Sequence, residues 1–161
     1  MPSFEKAINF VLKWEGGYNN IPADPGGETN WGISKKAHPH LDIKKLTKDQ
    51  AKAIYQTDYW DKIRGDELPS YALALTLLDF AVNFGPGRAI QVLQKALGVK
   101  VDGVFGDETM KAIKASTDYF VTNKINDYRL EFYVRQAGLF PTKKIFLLGW
   151  LRRLFDLQRE I

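Results

Sequence analysis

One segment constrains the fold of this chain more than any other. Residues Ser70 to Phe84 are apolar on nearly every side of a helix, and a helix that is apolar all round must be enclosed by other elements. Its polar exceptions are Thr76, Asp79 and Asn83, which are spaced i, i+3 and i+7 and therefore form one stripe. The stripe indicates either the lining of a cleft or a buried structural network, and its spacing favours neither. We predict a central buried helix with other helices around it.

Helix signals recur along the rest of the chain. Ser3 is a suitable N-cap, apolar residues follow at helical spacing up to Leu12, and Gly16-Gly17 ends this first helix. Residues 47–50 form a capping box that opens a helix through about Trp60. Four further helices are predicted, over 88–97, over 107–115 with Asp107 as its cap, over 117–136 with Val121, Ile125, Tyr128 and Phe132 on one side, and after Pro141 with Leu147, Trp150, Leu151 and Leu154 at helical spacing.

The segment from Tyr18 to Ile33 differs, because Asn, Pro, Gly and Asp dominate it. This composition predicts a loop or an irregular hairpin. The expected fold class is therefore mainly α, a lysozyme-like α+β arrangement with a helical bundle around the central helix. Any strands should be confined to a small hairpin region after the first helix.

Composition excludes some kinds of chemistry and leaves others open. The 161 residues contain no cysteine, so packing alone must hold the fold together. The two histidines, His38 and His40, have no partner at metal-ligand spacing, and we predict no metal site. A net charge of +4 permits binding to cell wall or to nucleic acid. The cationic clusters at 44–48 and at Arg152-Arg153 are interpreted as solvated surface.

The same reasoning bears on where the protein acts. The first residues lack the basic-then-apolar layout of a signal peptide. The longest apolar stretch, around Ile145 to Leu151, is far shorter than the roughly 20 residues that span a bilayer. We expect a product made in the cytoplasm, without stable membrane insertion, that reaches an external target after release.

Glu15 continues the apolar stripe of the first helix at its last turn. Burial disfavours the charged form of a carboxyl group, and the negative end of the helix dipole acts in the same direction. Glu15 is therefore predicted to favour its protonated form, which is the form that can protonate the leaving oxygen of a glycoside. On this residue alone, a partly exposed Glu at a fraying helix end is the favoured interpretation.

A second carboxylate follows in the loop. Asp24 lies nine residues after Glu15, among glycines and prolines that let the chain turn back over the helix end. There it could stay ionised and stabilise an oxocarbenium-like transition state, or position a water that Thr29 also holds. Asp24 is also explained as a turn residue before Pro25.

These residues resemble a known family. Residues 15–18 (EGGY), 24–27 (DPGG) and 29–33 (TNWGI) are similar to the signature of glycoside hydrolase family 108, whose members are N-acetylmuramidases of phage endolysins and bacterial cell-wall enzymes. The resemblance covers almost the whole chain, continuing through residues 59–61, 79–86, 101–106 and 149–151. The EGGY segment is weak alone, whereas the ordered set is specific. Trp31 stands where the family pattern has tyrosine.

The resemblance implies a site and a domain organisation. Glu15 matches the catalytic glutamate, and the order Glu, Asp, Thr resembles the triad of phage lysozymes, which assigns Asp24 and Thr29. The expected substrate-binding residues are Tyr18, Asn30, Trp31, Asp79 and Asn83. Residues 1–88 would form a lysozyme-like region. Residues 89–161 would form a region similar to a peptidoglycan-binding domain, packed into the same globule. Within it, the segment from Asp102 to Thr109 is either a wall-binding loop or a structural turn and helix cap, and the second role is slightly favoured.

The predicted activity is hydrolysis of the β-1,4 bond between N-acetylmuramic acid and N-acetylglucosamine by a monomer that acts on peptidoglycan glycan strands. It needs no cofactor, because protons and water perform the reaction. Two alternatives stay open, a peptidoglycan-binding scaffold without turnover and a lytic transglycosylase. A nucleic-acid-binding protein is disfavoured, since no recognisable module is present.

Overall fold

A computed structural model describes residues 2–20 and 27–161. Over these residues the chain forms seven α-helices and one two-stranded antiparallel sheet. The elements are α1 (Phe4–Glu15), β1 (Thr29–Asn30), β2 (Ile33–Ser34), α2 (Lys48–Tyr55), α3 (Tyr71–Phe84), α4 (Pro86–Leu97), α5 (Asp107–Lys114), α6 (Asp118–Leu139) and α7 (Leu147–Glu160). The prediction of a mainly helical protein with a small hairpin after the first helix is confirmed.

Helix α3 is the central helix that the apolar segment predicts. The hydroxyl of Ser70 accepts a hydrogen bond from the Leu73 backbone N–H and caps its start. Every side chain from Leu73 to Ala81 is buried. Helices α1, α4 and α6 pack around it, so the polar groups of its stripe must find partners inside the protein.

Local capping signals are confirmed at two helix starts. Ser3 accepts a hydrogen bond from the Lys6 backbone at the start of α1. Thr47 and Gln50 form the reciprocal capping box at the start of α2, which continues through a π-helical turn, Gln56–Trp60. The prediction for Asp107 is wrong, because Gly106 occupies the cap position of α5 and makes no side-chain cap bond.

The buried face of α6 differs from the predicted one. Val121 and Ile125 are buried as expected, but the line continues through Arg129 and Tyr133. Tyr128 and Phe132 are only half-buried. The predicted stripe avoided a charged residue at position 129, whereas the fold buries that residue with a partner.

Aromatic side chains join the central helix to the C-terminal half. The ring of Phe84, in α3, packs against Phe132 of α6 at 4.8 Å between centroids. It also packs against Trp150 of α7 at 5.4 Å, and Trp150 in turn contacts Tyr133. This cluster positions α7 beside the end of α3.

The connection between α4 and α5 is organised by one buried amide. Gln94 accepts hydrogen bonds from the backbone N–H groups of Asp102 and Gly103, and it donates to the Asp102 carboxylate and the Val104 carbonyl. The sequence leaves two roles open for the segment that begins at Asp102, a wall-binding loop and a structural turn. The contacts of Asp102 are those of the structural turn. No helix in the described ranges is long and apolar enough to cross a bilayer.

Candidate active site

Glu15 is the last residue of α1, after the buried residues Val11 and Leu12. The chain then leaves the helix at Gly16, whose φ of 75° is readily adopted only by glycine. The Glu15 side chain keeps 19% of its surface exposed. The carboxyl group thus lies at the boundary between the core and solvent, where a substrate can reach it.

Arg153 of α7 contacts Glu15, although most of the sequence separates the two residues. Its Nη1 donates to Glu15 Oε1 at 2.6 Å, although the residues are 138 positions apart. The interpretation of Arg152-Arg153 as solvated surface is wrong for Arg153, which is 6% exposed, while Arg152 is exposed. Position 153 lies between Trp150 and Leu157 on the inward face of α7, and this spacing is the signal that could have identified it.

The Glu15 ion pair is one end of a chain of alternating charges, which we call the ion network. Arg153 Nε donates to Asp79 Oδ1 at 2.7 Å, and Arg129 Nη2 donates to Asp79 Oδ2 at 2.6 Å. The Nη2 of Arg129 also donates to the Tyr133 hydroxyl at 2.9 Å. Two carboxylates and two guanidinium groups cancel, so the network is neutral when Glu15 is ionised.

The charges of the network support one another. Burial alone lowers the pKa of Arg153, but the nearby carboxylates of Asp79 and Glu15 outweigh it and raise that pKa. Arg153 therefore stays cationic. Arg153 thus places a lasting positive charge beside Glu15. The sequence does not indicate this charge, because Arg153 is far from Glu15 along the chain.

The network settles the role of Asp79. The prediction that Asp79 contacts substrate is wrong, because its side chain is fully buried and both oxygens accept from arginines. The polar stripe of α3 is a buried network at this position. Asn83, one turn on, is half-buried and donates to the Asp79 backbone carbonyl. Its contact with substrate stays a prediction.

The hairpin covers Glu15 through its turn. Asn30 pairs with Ile33, which leaves Trp31 and Gly32 as a two-residue turn with φ of 53° and 78°. A Cβ atom at Gly32 would lie 2.8 Å from Glu15 Oε2 and 2.3 Å from the Tyr55 hydroxyl. Only glycine fits between these groups, so the hairpin backbone packs directly on the carboxyl group.

Tyr55 holds this turn in place from the opposite side. Its hydroxyl donates to the Trp31 carbonyl at 2.9 Å. Burial, reinforced by the Glu15 carboxylate, raises the pKa of Tyr55, so the phenol stays a neutral donor. Tyr59 lies beside it at 5.4 Å between ring centroids, and burial also raises the pKa of Tyr59.

The predicted binding residues of the hairpin have different environments. Asn30 is 6% exposed, and its amide donates to the carbonyls of Ile43 and Leu46, so the prediction that it binds substrate is wrong. Since neighbouring strand residues face opposite sides, Thr29 points away from the core and is half-buried.

Tyr18 and Trp31 remain candidates for substrate contact. Tyr18 is exposed, and its hydroxyl donates to Glu28 Oε1 at 2.8 Å. That hydrogen bond to a carboxylate raises the pKa of Tyr18. Trp31 is half-buried and precedes Gly32, which packs on Glu15. Their contact with substrate stays a prediction.

Asp24 lies outside the described residues. Asn19 and Thr29, which flank its segment, exchange two backbone hydrogen bonds of 2.8 Å. The assignment of Asp24 as partner of Glu15 stays a prediction. Among the described residues no group of three His, Cys, Asp or Glu side chains could hold a metal ion.

Comparison with known proteins identifies the family. A family model described as Glycosyl hydrolase 108 matches residues 8–85, and one described as Predicted Peptidoglycan domain matches residues 88–155. The structure of Brucella abortus SagA is similar over 98% of this chain and 92% of its own, with 37% identity and a TM-score of 0.83. The chain belongs to the glycosyl hydrolase 108 family. No curated protein sequence matches it.

Membership of the glycosyl hydrolase 108 family gives the ion network a context. The chain is a glycoside hydrolase that acts on peptidoglycan. Glu15 and Asp79 lie in the part matched by the glycosyl hydrolase 108 model, whereas Arg129 and Arg153 lie in the part matched by the peptidoglycan model. The network therefore joins the two matched regions at the candidate active site. The division of the chain into two domains near residue 88 stays a prediction.

Proposed function

We propose that this protein is an N-acetylmuramidase that hydrolyses the β-1,4 bond between N-acetylmuramic acid and N-acetylglucosamine, with Glu15 as the general acid. The observation that carries the proposal is the environment of Glu15. Its carboxyl group ends a buried helix face, contacts Arg153 on one oxygen, lies under Gly32 at the other and remains open to solvent.

The environment suits both halves of an acid's task. Glu15 must be neutral when it gives its proton to the glycosidic oxygen, and its partly exposed carboxyl group is accessible to that oxygen. Once the proton has left, the carboxylate faces the Arg153 guanidinium, which stabilises the new negative charge. Because Asp79 and Arg129 fix Arg153 from behind, no reorganisation is needed during the reaction.

The second half of the reaction needs a group on the other face of the sugar. We propose Asp24 for this role and Thr29 as a support that helps to hold the attacking water. A carboxylate about 6.5–9.5 Å from Glu15 would imply inversion, and one about 5–5.5 Å away would imply retention. NMR of the first-formed anomer distinguishes the two outcomes.

Mass spectrometry of the released muropeptides tests the reaction class. Hydrolysis adds one water to each cleaved bond and leaves a reducing N-acetylmuramic acid end. The proposal expects these products from purified cell walls. Fragments with 1,6-anhydro ends would contradict it and indicate a lytic transglycosylase, which uses an acid but no water.

The biological setting is also a proposal. We propose that the enzyme is a monomer, made in the cytoplasm, that acts on the wall in the periplasm or outside during cell lysis. A net charge of +4 supports attraction to an anionic wall. Cell fractionation before and during lysis would test the location, and sedimentation of the purified protein would test the oligomeric state.

A further inference from the structure

The turn between α6 and α7 exposes an unusual number of large apolar side chains. Five of them, which we call the apolar tip, are between 46% and 79% exposed: Leu139, Phe140, Ile145, Phe146 and Leu148. They lie in and beside the 3₁₀ turn Pro141–Phe146. Clustered exposed apolar residues mark an interaction site more often than single ones do.

The core makes little use of these side chains, although Phe146 packs on Trp150 with 6.1 Å between ring centroids. Helix α7 packs inward through Leu154 and Leu157, which are buried, and through Trp150. Beside the tip lies a groove of about 390 Å³, bordered by Val134 of α6 and by Pro141, Lys144 and Leu147. The apolar tip and this groove therefore form an unpartnered surface.

Charge indicates what covers this surface. The turn carries two lysines, Lys143 and Lys144, and residues 140–148 contain no Asp or Glu. Neither lysine forms an ion pair with any residue in the described ranges, and the Lys143 ammonium donates to the Gln136 side chain. The Lys143 ammonium lies 4.5 Å from the centre of the Phe140 ring, so cation and apolar group are presented together.

We propose that the apolar tip docks on the surface of an anionic lipid bilayer. Apolar side chains that reach the boundary of the acyl chains, flanked by cations at the level of the headgroups, are the pattern of interfacial binding. A second copy of the chain would bring the same cations together, and the anionic wall polymer would pair with the cations but offer no apolar phase to the five side chains. An anionic bilayer offers an apolar phase to the tip and negative headgroups to the cations.

Such docking would hold a peptidoglycan hydrolase beside the membrane without a spanning helix. It does not rest on the proposed muramidase reaction, because the tip shares no residue with the ion network. Vesicle binding and wall cleavage can therefore fail independently of each other.

Vesicle co-sedimentation of the full chain tests the proposal. The probes are phosphatidylethanolamine vesicles with phosphatidylglycerol, and phosphatidylcholine vesicles for comparison. The test variant is Ile145→Ser with Leu148→Ser, and the matched control is Tyr119→Ser with Phe120→Ser, two exposed neighbours at the other end of α6. That end is about 30 Å away, from the rise of a 22-residue helix.

The proposal expects binding to the anionic vesicles that weakens with salt. Losing two apolar anchors should reduce affinity at least about tenfold, with the control unchanged and clearing of lipid-free walls the same for all three proteins. Equal loss in both double variants, or no vesicle binding by the wild type, would overturn the proposal. So would a dimer that only the tip variant dissociates, or weaker binding of the tip variant to lipid-free walls.

Discussion

At the scale of single residues, Arg153 determines the surroundings of Glu15. Its guanidinium uses one nitrogen for Glu15 Oε1 and another for Asp79 Oδ1. A lysine ammonium is a point charge and cannot reproduce this two-pronged geometry. Arg153 is therefore a positioning residue for the proposed acid, and neighbouring Arg152 has no such role.

The variant Arg153→Lys should lose about 2 kcal/mol of stability, because one charged hydrogen bond in a buried network is broken. Wall-clearing activity should fall roughly tenfold to a hundredfold, as expected for a misplaced catalytic group. The loss should fall on kcat rather than on KM, because Arg153 is buried and acts through Glu15. Urea unfolding and steady-state kinetics on soluble glycan strands measure the two effects.

Arg152→Lys is the matched control for this prediction. Arg152 is exposed, and a surface substitution of this kind should stay within about 0.5 kcal/mol of the wild type. If the two lysine variants have the same stability and the same kcat, Arg153 does not position Glu15.

At the scale of elements, the β1–β2 hairpin positions its turn on Glu15. The turn requires positive φ at Trp31 and Gly32, and Gly32 also lacks room for a Cβ atom. Two separate costs, backbone strain and steric overlap, therefore act on any substitution at Gly32.

The variant Gly32→Ala should be destabilised by about 2 kcal/mol or more, the sum of strain and overlap, and should lose most of its activity because Glu15 or Tyr55 must shift. Gly98→Ala separates the two costs, since Gly98 has φ of 70° and an added methyl group there would meet no atom within 4 Å. It should lose about 1 kcal/mol and keep its activity. Wild-type clearing by Gly32→Ala would contradict the hairpin's role.

Elements also show how far sequence reasoning extends. Ser3, the capping box at Thr47 and the apolar run of α3 act through neighbours a few residues away, so their helices were predictable. Arg129 and Arg153 were missed because each is charged in an otherwise apolar stripe, and only the packed fold supplies the partner that makes its burial favourable. The structural role of Asn30 was missed for the same reason, because its hydrogen-bond partners are the carbonyls of Ile43 and Leu46, which lie 13 and 16 positions further along the chain.

At the scale of the whole molecule, the C-terminal half completes the site. Arg129 and Arg153 come from α6 and α7, while Glu15 and Asp79 come from α1 and α3. Tyr55 and Tyr133 are buried near this site, and Tyr59 and Tyr71 are half-buried. Burial raises the pKa of Tyr55, Tyr59 and Tyr133, and burial beside Glu160 raises that of Tyr71 to about 12.

These shifts predict alkaline unfolding. The folded protein keeps protons that an unfolded chain releases above about pH 10, the usual tyrosine value. Stability is therefore full below that pH and declines above it, by about 1.4 kcal/mol per pH unit for each fully buried tyrosine. Urea unfolding between pH 9 and 11 measures the decline. Tyr55→Phe should make it shallower, and Tyr119→Phe, at an exposed position, should not. Parallel declines for wild type and Tyr55→Phe would contradict this account.

The central claim is that Glu15 is the catalytic acid, and clearing of purified cell walls by Glu15→Gln tests it most directly. The control is Glu5→Gln, which makes the same chemical change at the exposed first turn of the same helix. Glu15→Gln should fold normally and lose roughly 10²- to 10⁴-fold in rate, the contribution typical of general acid catalysis, while Glu5→Gln should keep nearly full activity. Clearing by Glu15→Gln at the wild-type rate, or wall binding without clearing by the wild type, would contradict the account.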